Sequence, residues 1–226
     1  MNQDYVFSSL SPIGKLPNLF IVADGMGGHK AGDFASKYSV KTFIENIKKS
    51  SRELPVEIIT KALEDTNQAL IKEAQGNQDL DGMGTTFVVA TIIDQYMYVA
   101  NIGDSRLYII NDKIKQITQD HSLVEEMVKE GKIDREDARV HPNKNVITRA
   151  LGVHNKIVPD FFELNLLKGD TILMCSDGLT NMLEDQEIME IIKNNSNRLE
   201  LASKDLVDKA NQRGGKDNIS VIIVKL

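Results

Sequence analysis

The run Leu19-Phe20-Ile21-Val22-Ala23 ends on Asp24-Gly25-Met26-Gly27-Gly28. Five apolar residues without polar alternation read as a strand covered on both faces, and a carboxylate followed by glycine stands where that strand leaves the core. Outward from it, further apolar runs lie at Thr85 to Ile93, Tyr96 to Ala100, Leu107 to Ile110, Thr171 to Cys175 and Ile219 to Val224. Two amphipathic patterns separate the first run from the second. Residues 31–49 carry Ala31, Ala35, Tyr38, Thr42 and Phe43 at helical spacing, and residues 55–75 carry Ile58, Ile59, Ala62, Leu63, Ala69 and Leu70. Helices are also expected at 122–130, closed by Gly131, at 184–193, and at 199–210 before Gly214-Gly215. Strands that come grouped, rather than alternating with helices, predict an α+β fold with antiparallel sheets.

The whole chain is consistent with that reading. Its 226 residues suffice for a sizeable core, and with 41% hydrophobic and 27% charged residues it is expected to be globular rather than disordered. No Pro, Gly or Ser-rich linker and no internal repeat divides it, so one domain over residues 1–226 is expected. Lys and Arg number 27 against 33 Asp and Glu, a net charge of −6 that disfavours nucleic acid and anionic membranes as partners. The lone cysteine, Cys175, allows no intramolecular disulfide and no thiolate metal cluster. No stretch approaches the ~18 consecutive apolar residues of a membrane span, and Met1-Asn2-Gln3-Asp4 lacks the regions of a signal peptide, so the expected location is cytoplasmic.

Chemistry concentrates in aspartates at the ends of strands. Asp24 and Asp177 each follow an apolar run and precede a glycine, Asp104 lies in the Gly103-Asp104-Ser105-Arg106 turn, and Asp217 precedes the last run. One Asp-Gly pair is ordinarily a turn, and Asp81-Gly82 reads that way. Four aspartates so placed point instead to a centre for Mg²⁺ or Mn²⁺, which prefer oxygen ligands, with glycine allowing close approach of a backbone carbonyl or a water. Two such ions sharing carboxylates could clamp a phosphate and deprotonate a bridging water.

Several motifs in order along the chain resemble those of the bacterial protein phosphatase 2C family of metal-dependent serine/threonine phosphatases. They are Asn2-Gln3-Asp4, Val22-Ala23-Asp24-Gly25-Met26-Gly27-Gly28-His29, Gly84-Thr85-Thr86, Ile102-Gly103-Asp104-Ser105-Arg106, Thr118-Gln119-Asp120-His121-Ser122, Ile147-Thr148-Arg149-Ala150-Leu151-Gly152, Cys175-Ser176-Asp177-Gly178-Leu179 and Gly215-Lys216-Asp217-Asn218-Ile219. The resemblance implies a four-layer α-β-β-α sandwich of two antiparallel sheets flanked by helix pairs. By the same resemblance Asp24 bridges two Mn²⁺ or Mg²⁺ ions, the Gly25 carbonyl binds one of them, and Asp177 and Asp217 hold the other. Asp4 matches the N-terminal acidic position, acting directly or through water, and Asp104 with Asp177 matches a weaker third-metal site. The implied catalytic set is Asp24, Asp177 and Asp217. The implied reaction is attack of a metal-bridging water on phosphoserine or phosphothreonine in proteins, opposing a bacterial serine/threonine kinase.

Other residues are read against this frame. Cys175 lacks the Arg-terminated phosphate loop of a cysteine nucleophile and is expected to be a small core residue. His29 is either a catalytic group or part of the loop packing, while His121, His141 and His154 are expected to be structural. The charged residues 123–146 match the family's variable flap, which either touches substrate or is a solvated connection. The family normally has a strand before its acidic motif and an Arg three residues before its Asn. With Met1 directly before Asn2, both are expected to be missing. The alternative functional readings are an N-terminally truncated, metal-binding pseudophosphatase acting as an interaction module, and hydrolysis of a small phosphate ester.

Overall fold

A computed structural model describes residues 2–226, with His29 described by its backbone alone. Strand β1 (Asp4–Ser9) leads into β2 (Leu19–Met26), followed by helices α1 (His29–Lys49) and α2 (Pro55–Gly76). Strands β3 (Gly84–Thr85), β4 (Phe87–Ile93), β5 (Tyr96–Ile102), β6 (Arg106–Ile110) and β7 (Ile114–Gln116) come next. Two short helices, α3 (Leu123–Lys129) and α4 (Arg135–Val140), precede β8 (Asp160–Asn165) and β9 (Thr171–Cys175). Helices α5 (Asp177–Thr180), α6 (Asp185–Asn194) and α7 (Leu199–Gln212) then lead to β10 (Val221–Lys225).

Among the described residues the strands form two antiparallel sheets, one in the order β1-β2-β4-β5-β8 with β3 extending beside β2, the other in the order β10-β9-β6-β7. Side chains alternate across a strand, and this explains the unbroken apolar runs. In β2, Leu19, Ile21 and Ala23 face α1 and α2, while Phe20 and Val22 face the second sheet. In β9, Ile172 and Met174 enter the layer between the sheets, and Leu173 and Cys175 enter the layer under α6 and α7. Three apolar layers thus separate four structural layers, as the α-β-β-α expectation requires.

Local sequence sets the helix boundaries. Pro55 opens α2, where its fixed φ and missing N–H cost nothing. Ser122 caps α3 by accepting from the Glu125 N–H, and Glu184 with Glu187 forms a capping box on α6.

The structure amends the expected elements. The run from Thr85 is broken at Thr86, which turns aside so that its N–H donates to the Asp24 carbonyl and its hydroxyl accepts from the Asp24 N–H. The last strand begins at Val221 rather than Ile219, because Ser220 is tied to Ser176 and Ile219 packs beneath α5 to α7. Asp24 lies within β2 rather than after it. Strands β1, β7 and β8 were not expected. Each is short or flanked by charge, and only the pairs Tyr5/Phe7 and Phe161/Phe162 hint at them.

Truncation of Ile21, fully buried in β2, should lower stability by about 2–5 kcal/mol in Ile21→Ala. Val6→Ala, at a side chain 42% exposed on an edge strand, should change it by about 0.5 kcal/mol or less. Urea denaturation of both variants checks the contrast.

Candidate metal centre

Antiparallel register brings the first two aspartates together. Asp4 of β1 lies directly opposite Asp24 of β2, so both side chains share the face turned toward the second sheet. From that second sheet comes Asp177, first residue of α5, immediately after β9. Asp217 lies in the loop before β10, which pairs with β9. Asp104 occupies the turn between β5 and β6, the point where the chain crosses from one sheet to the other. Five carboxylates from distant sequence positions therefore meet at one end of the sandwich, close enough that Asp24 feels the charge of all four others.

A dense backbone and hydroxyl framework holds them. Asp4 is 8% exposed, and its Oδ2 accepts from the Ser176 hydroxyl at 2.7 Å. Ser176 in turn accepts from the Ser220 N–H at 3.0 Å, so one hydroxyl joins β1 to the ends of β9 and β10. Asn218 Oδ1 accepts from the Gln3 N–H at 2.7 Å, and Asn218 N donates to Asp217 Oδ1 at 2.8 Å. Asn181 donates to Asp177 Oδ2 at 2.8 Å. Glycine is required where these segments cross. A Cβ on Gly25 would lie 2.0 Å from the Gly32 carbonyl oxygen, and one on Gly178 would lie 1.9 Å from the Asn218 carbonyl oxygen.

All six expected site residues, Asp4, Asp24, Gly25, Asp104, Asp177 and Asp217, are gathered here. The supporting Ser176, Asn218 and Asn181 have no signal of their own in the sequence, although the first two fall inside the quoted motifs. His121 is a structural group: its Nδ1 accepts from the Gly103 N–H at 3.1 Å, its Nε2 lies 3.2 Å from Asp160, and burial lowers its pKa. His141 accepts from the Asn143 N–H within its own turn. The side chain of His29, and with it the choice between its two roles, lies outside the described residues. Cys175 is fully buried, and burial pushes its thiol up to about 12, far from a reactive thiolate.

The sequence profile of the family described as protein phosphatase 2C matches residues 13–219. The chain belongs to the protein phosphatase 2C family. It is 43% identical over 212 residues to the serine/threonine phosphatase stp of Listeria innocua, covering 92% of this chain and 84% of that protein. The crystal structure of serine/threonine phosphatase Stp1 from Staphylococcus aureus superposes with a TM-score of 0.91 at 33% identity, covering 100% of this chain and 89% of that one. The catalytic domain of the phosphatase PstP in complex with two manganese ions superposes with a TM-score of 0.85 at 30% identity, covering 99% and 90%. Protein phosphatase 2C enzymes are metal-dependent. Among the described residues no helix is long and apolar enough to cross a membrane.

The donor set of this phosphatase 2C chain suits hard divalent cations. Burial first, and then the neighbouring carboxylates, push Asp24 up to about 10, Asp104 to about 8 and Asp177 to about 6, and burial also raises Asp4. Asp4 Oδ1 and Asp177 Oδ1 are buried without a hydrogen-bond donor. Positive charge placed among these oxygens would relieve both costs, and oxygen-only donors favour Mg²⁺ or Mn²⁺. Among the described residues no three His, Cys, Asp or Glu side chains are placed to hold an ion by themselves. The donors are instead spread over two sheet ends, which leaves room for backbone oxygens and water.

A carboxyl whose folded pKa exceeds its unfolded value favours folding while protonated, and that contribution disappears as pH rises through the folded value. Without metal, thermal stability should therefore fall from about pH 4, where the unfolded carboxyls ionise, with the Asp177 contribution lost by about pH 6, that of Asp104 by about pH 8 and that of Asp24 by about pH 10. Added Mn²⁺ should raise the melting temperature, and by more at the upper end of this range, where protons no longer compete for the oxygens. Calorimetric scans with and without Mn²⁺ test both slopes.

Proposed function

We propose that this protein phosphatase 2C chain hydrolyses phosphoserine and phosphothreonine in proteins at the Asp4, Asp24, Asp104, Asp177 and Asp217 centre, opposing a serine/threonine protein kinase. The observation that carries the reading is the convergence of these five carboxylates on one sheet end, where burial and neighbouring charge make ionised Asp4, Asp24, Asp104 and Asp177 costly without a cation. That the chain is a protein serine/threonine phosphatase follows from its family. The residue roles, the ions and the kinase are our inference.

Two ions would be held by Asp24 together with the Gly25 carbonyl, Asp177 and Asp217. Asp4 completes the set through its free Oδ1, and Asp104 with Asp177 is assigned to a weaker third site. Mn²⁺ or Mg²⁺ bound there supplies a nucleophile at neutral pH and offsets charge on phosphoryl oxygens. The chain's own residues fix the geometry: the Asp4–Asp24 register sets the spacing of two carboxylates, and the Ser176 hydroxyl holds Asp4 against β9. Asn181 fixes one oxygen of Asp177 and leaves the other free. We propose one catalytic domain over residues 1–226, in which residues 123–146 form a flap beside the site.

The test is phosphate release from a phosphothreonine peptide with and without Mn²⁺. Chelation should abolish release, and Asp24→Asn or Asp177→Asn should lower it on the order of 10³-fold or more. Because Asp177 is ionised at about pH 8, Asp177→Asn removes a charge from a repelling cluster, and that variant without metal should melt no lower than the parent there. Near-normal turnover by either variant at saturating Mn²⁺ would sink the assignment. Mn²⁺ binding without turnover would instead leave a metal-binding interaction module.

Cys175→Ser, if it folds, should retain Mn²⁺-dependent release, since the thiol takes no part in the chemistry. A folded Cys175→Ser protein without activity would overturn that view.

A further inference from the structure

A cleft of about 390 Å³ opens beside Asp104 and Asp177 and runs beneath α4, with α5 and the start of α6 as its far wall. Four basic side chains line it, and three are already spent on carboxylates. Arg106 pairs with Asp120 at 2.6 Å, Arg135 with Glu125 at 2.9 Å, and Arg139 with Glu184 at 2.9 Å. Lys144 is different. Among the described residues its ammonium has no carboxylate within ion-pair distance.

The backbone that carries Lys144 is held in a closed turn. The Lys144 N–H donates to the His141 carbonyl, Val146 N donates to the Asn143 carbonyl, and Asn143 N donates to His141 Nδ1, each at 3.1 Å. The turn is closed at its stem, where Leu123 N donates to the Val146 carbonyl at 2.8 Å and Ser122 bridges Ile147. Lys144 is partly exposed, with Arg139 and Lys216 as cationic neighbours and Asp177 as a source of negative charge, and burial first, then like charge, lowers its pKa. Lys216 adjoins Asp217 and has no ion-pair partner among the described residues either. An ammonium without a carboxylate, on the wall of a cleft that Asp104 and Asp177 also line, is open to an arriving anion.

We propose that Lys144 is the protein's own ligand for the phosphoryl oxygens of the substrate and of released phosphate. This rests on the phosphatase reading above and adds the residue that grips the group being transferred. A phosphomonoester dianion suits the site because it offers negative charge and several acceptor oxygens to a point-charge donor. The same chemistry could come from an acidic side chain flanking the phosphorylated residue, so the experiment separates these sources.

The test uses the full chain at saturating Mn²⁺ with phosphothreonine peptides bearing neutral or acidic flanks, comparing the parent with Lys144→Met and Lys144→Arg. Metal affinity and inorganic-phosphate binding are measured by calorimetry. Lys144→Met should raise KM for both peptides and the phosphate dissociation constant by roughly tenfold or more, with Mn²⁺ affinity unchanged. Lys144→Arg should restore most of the loss. An effect confined to the acidic-flanked peptide overturns the proposal in favour of flank reading. Unchanged KM and phosphate binding in Lys144→Met also overturns it, whether or not Mn²⁺ affinity changes. If the parent releases no phosphate, the catalytic reading fails. Lys144-dependent binding of inorganic phosphate would then still support the anion site, and its absence would refute it.

Discussion

Mutual repulsion among five carboxylates, held at one end of two stacked sheets, is the constraint on which the rest of this structure depends. Aspartates free to move would separate or turn to water. Here Asp4 and Asp24 are locked opposite each other by strand register, Asp177 is locked by its position at the head of α5, and Asp104 by a turn between sheets. Ser176 links the two halves, donating to Asp4 and accepting from Ser220. Burial first, and then this repulsion, raises the proton affinities of Asp4, Asp24, Asp104 and Asp177, with Asp24 pushed up to about 10. The same crowding therefore makes the site unfavourable when empty and a strong acceptor of divalent metal.

Rigidity of this kind has to come from the layers behind it. The strand that carries Asp24 is buried on both faces, with Leu19, Ile21 and Ala23 under the first helix pair and Phe20 and Val22 between the sheets. Its carboxylate is the continuation of a core strand, so moving it means disturbing two hydrophobic layers at once. Close crossings at Gly25 and Gly178 leave no room for a side chain, and they let the backbone of Gln3 and Gly32 and the loop that bears Asp217 press against the strand ends. Packing and charge thus work on the same few residues.

The segment between β7 and β8 is built differently. It contributes no strand to either sheet, and its helices α3 and α4 are short and mostly charged. The Arg135–Glu125 pair joins its two helices, and Arg139–Glu184 ties it across the cleft. Partly exposed pairs of this sort contribute little stability each. The cleft's shape is consequently its most adjustable feature, while the carboxylate end is its least.

Much of this was determined by the sequence alone. Unbroken apolar runs demand burial on both faces, helical spacing at 31–49 and 55–75 demands a sheet to pack on, and aspartates beside glycine at strand ends mark an oxygen-rich centre. These signals are local, since periodicity and turn chemistry act within a few residues. Strands β1, β7 and β8 escaped notice because short strands of mixed character are stabilised by their neighbours and not by their own composition. Only the tertiary structure decided that Asp4 stands opposite Asp24, that the Ser176 hydroxyl joins Asp4 to β10, and that Lys144 is left unpaired while each arginine of the cleft has its carboxylate. Those are relations between residues as much as 172 positions apart. They depend on register, layer order and the distance between charges, which exist once the chain is folded.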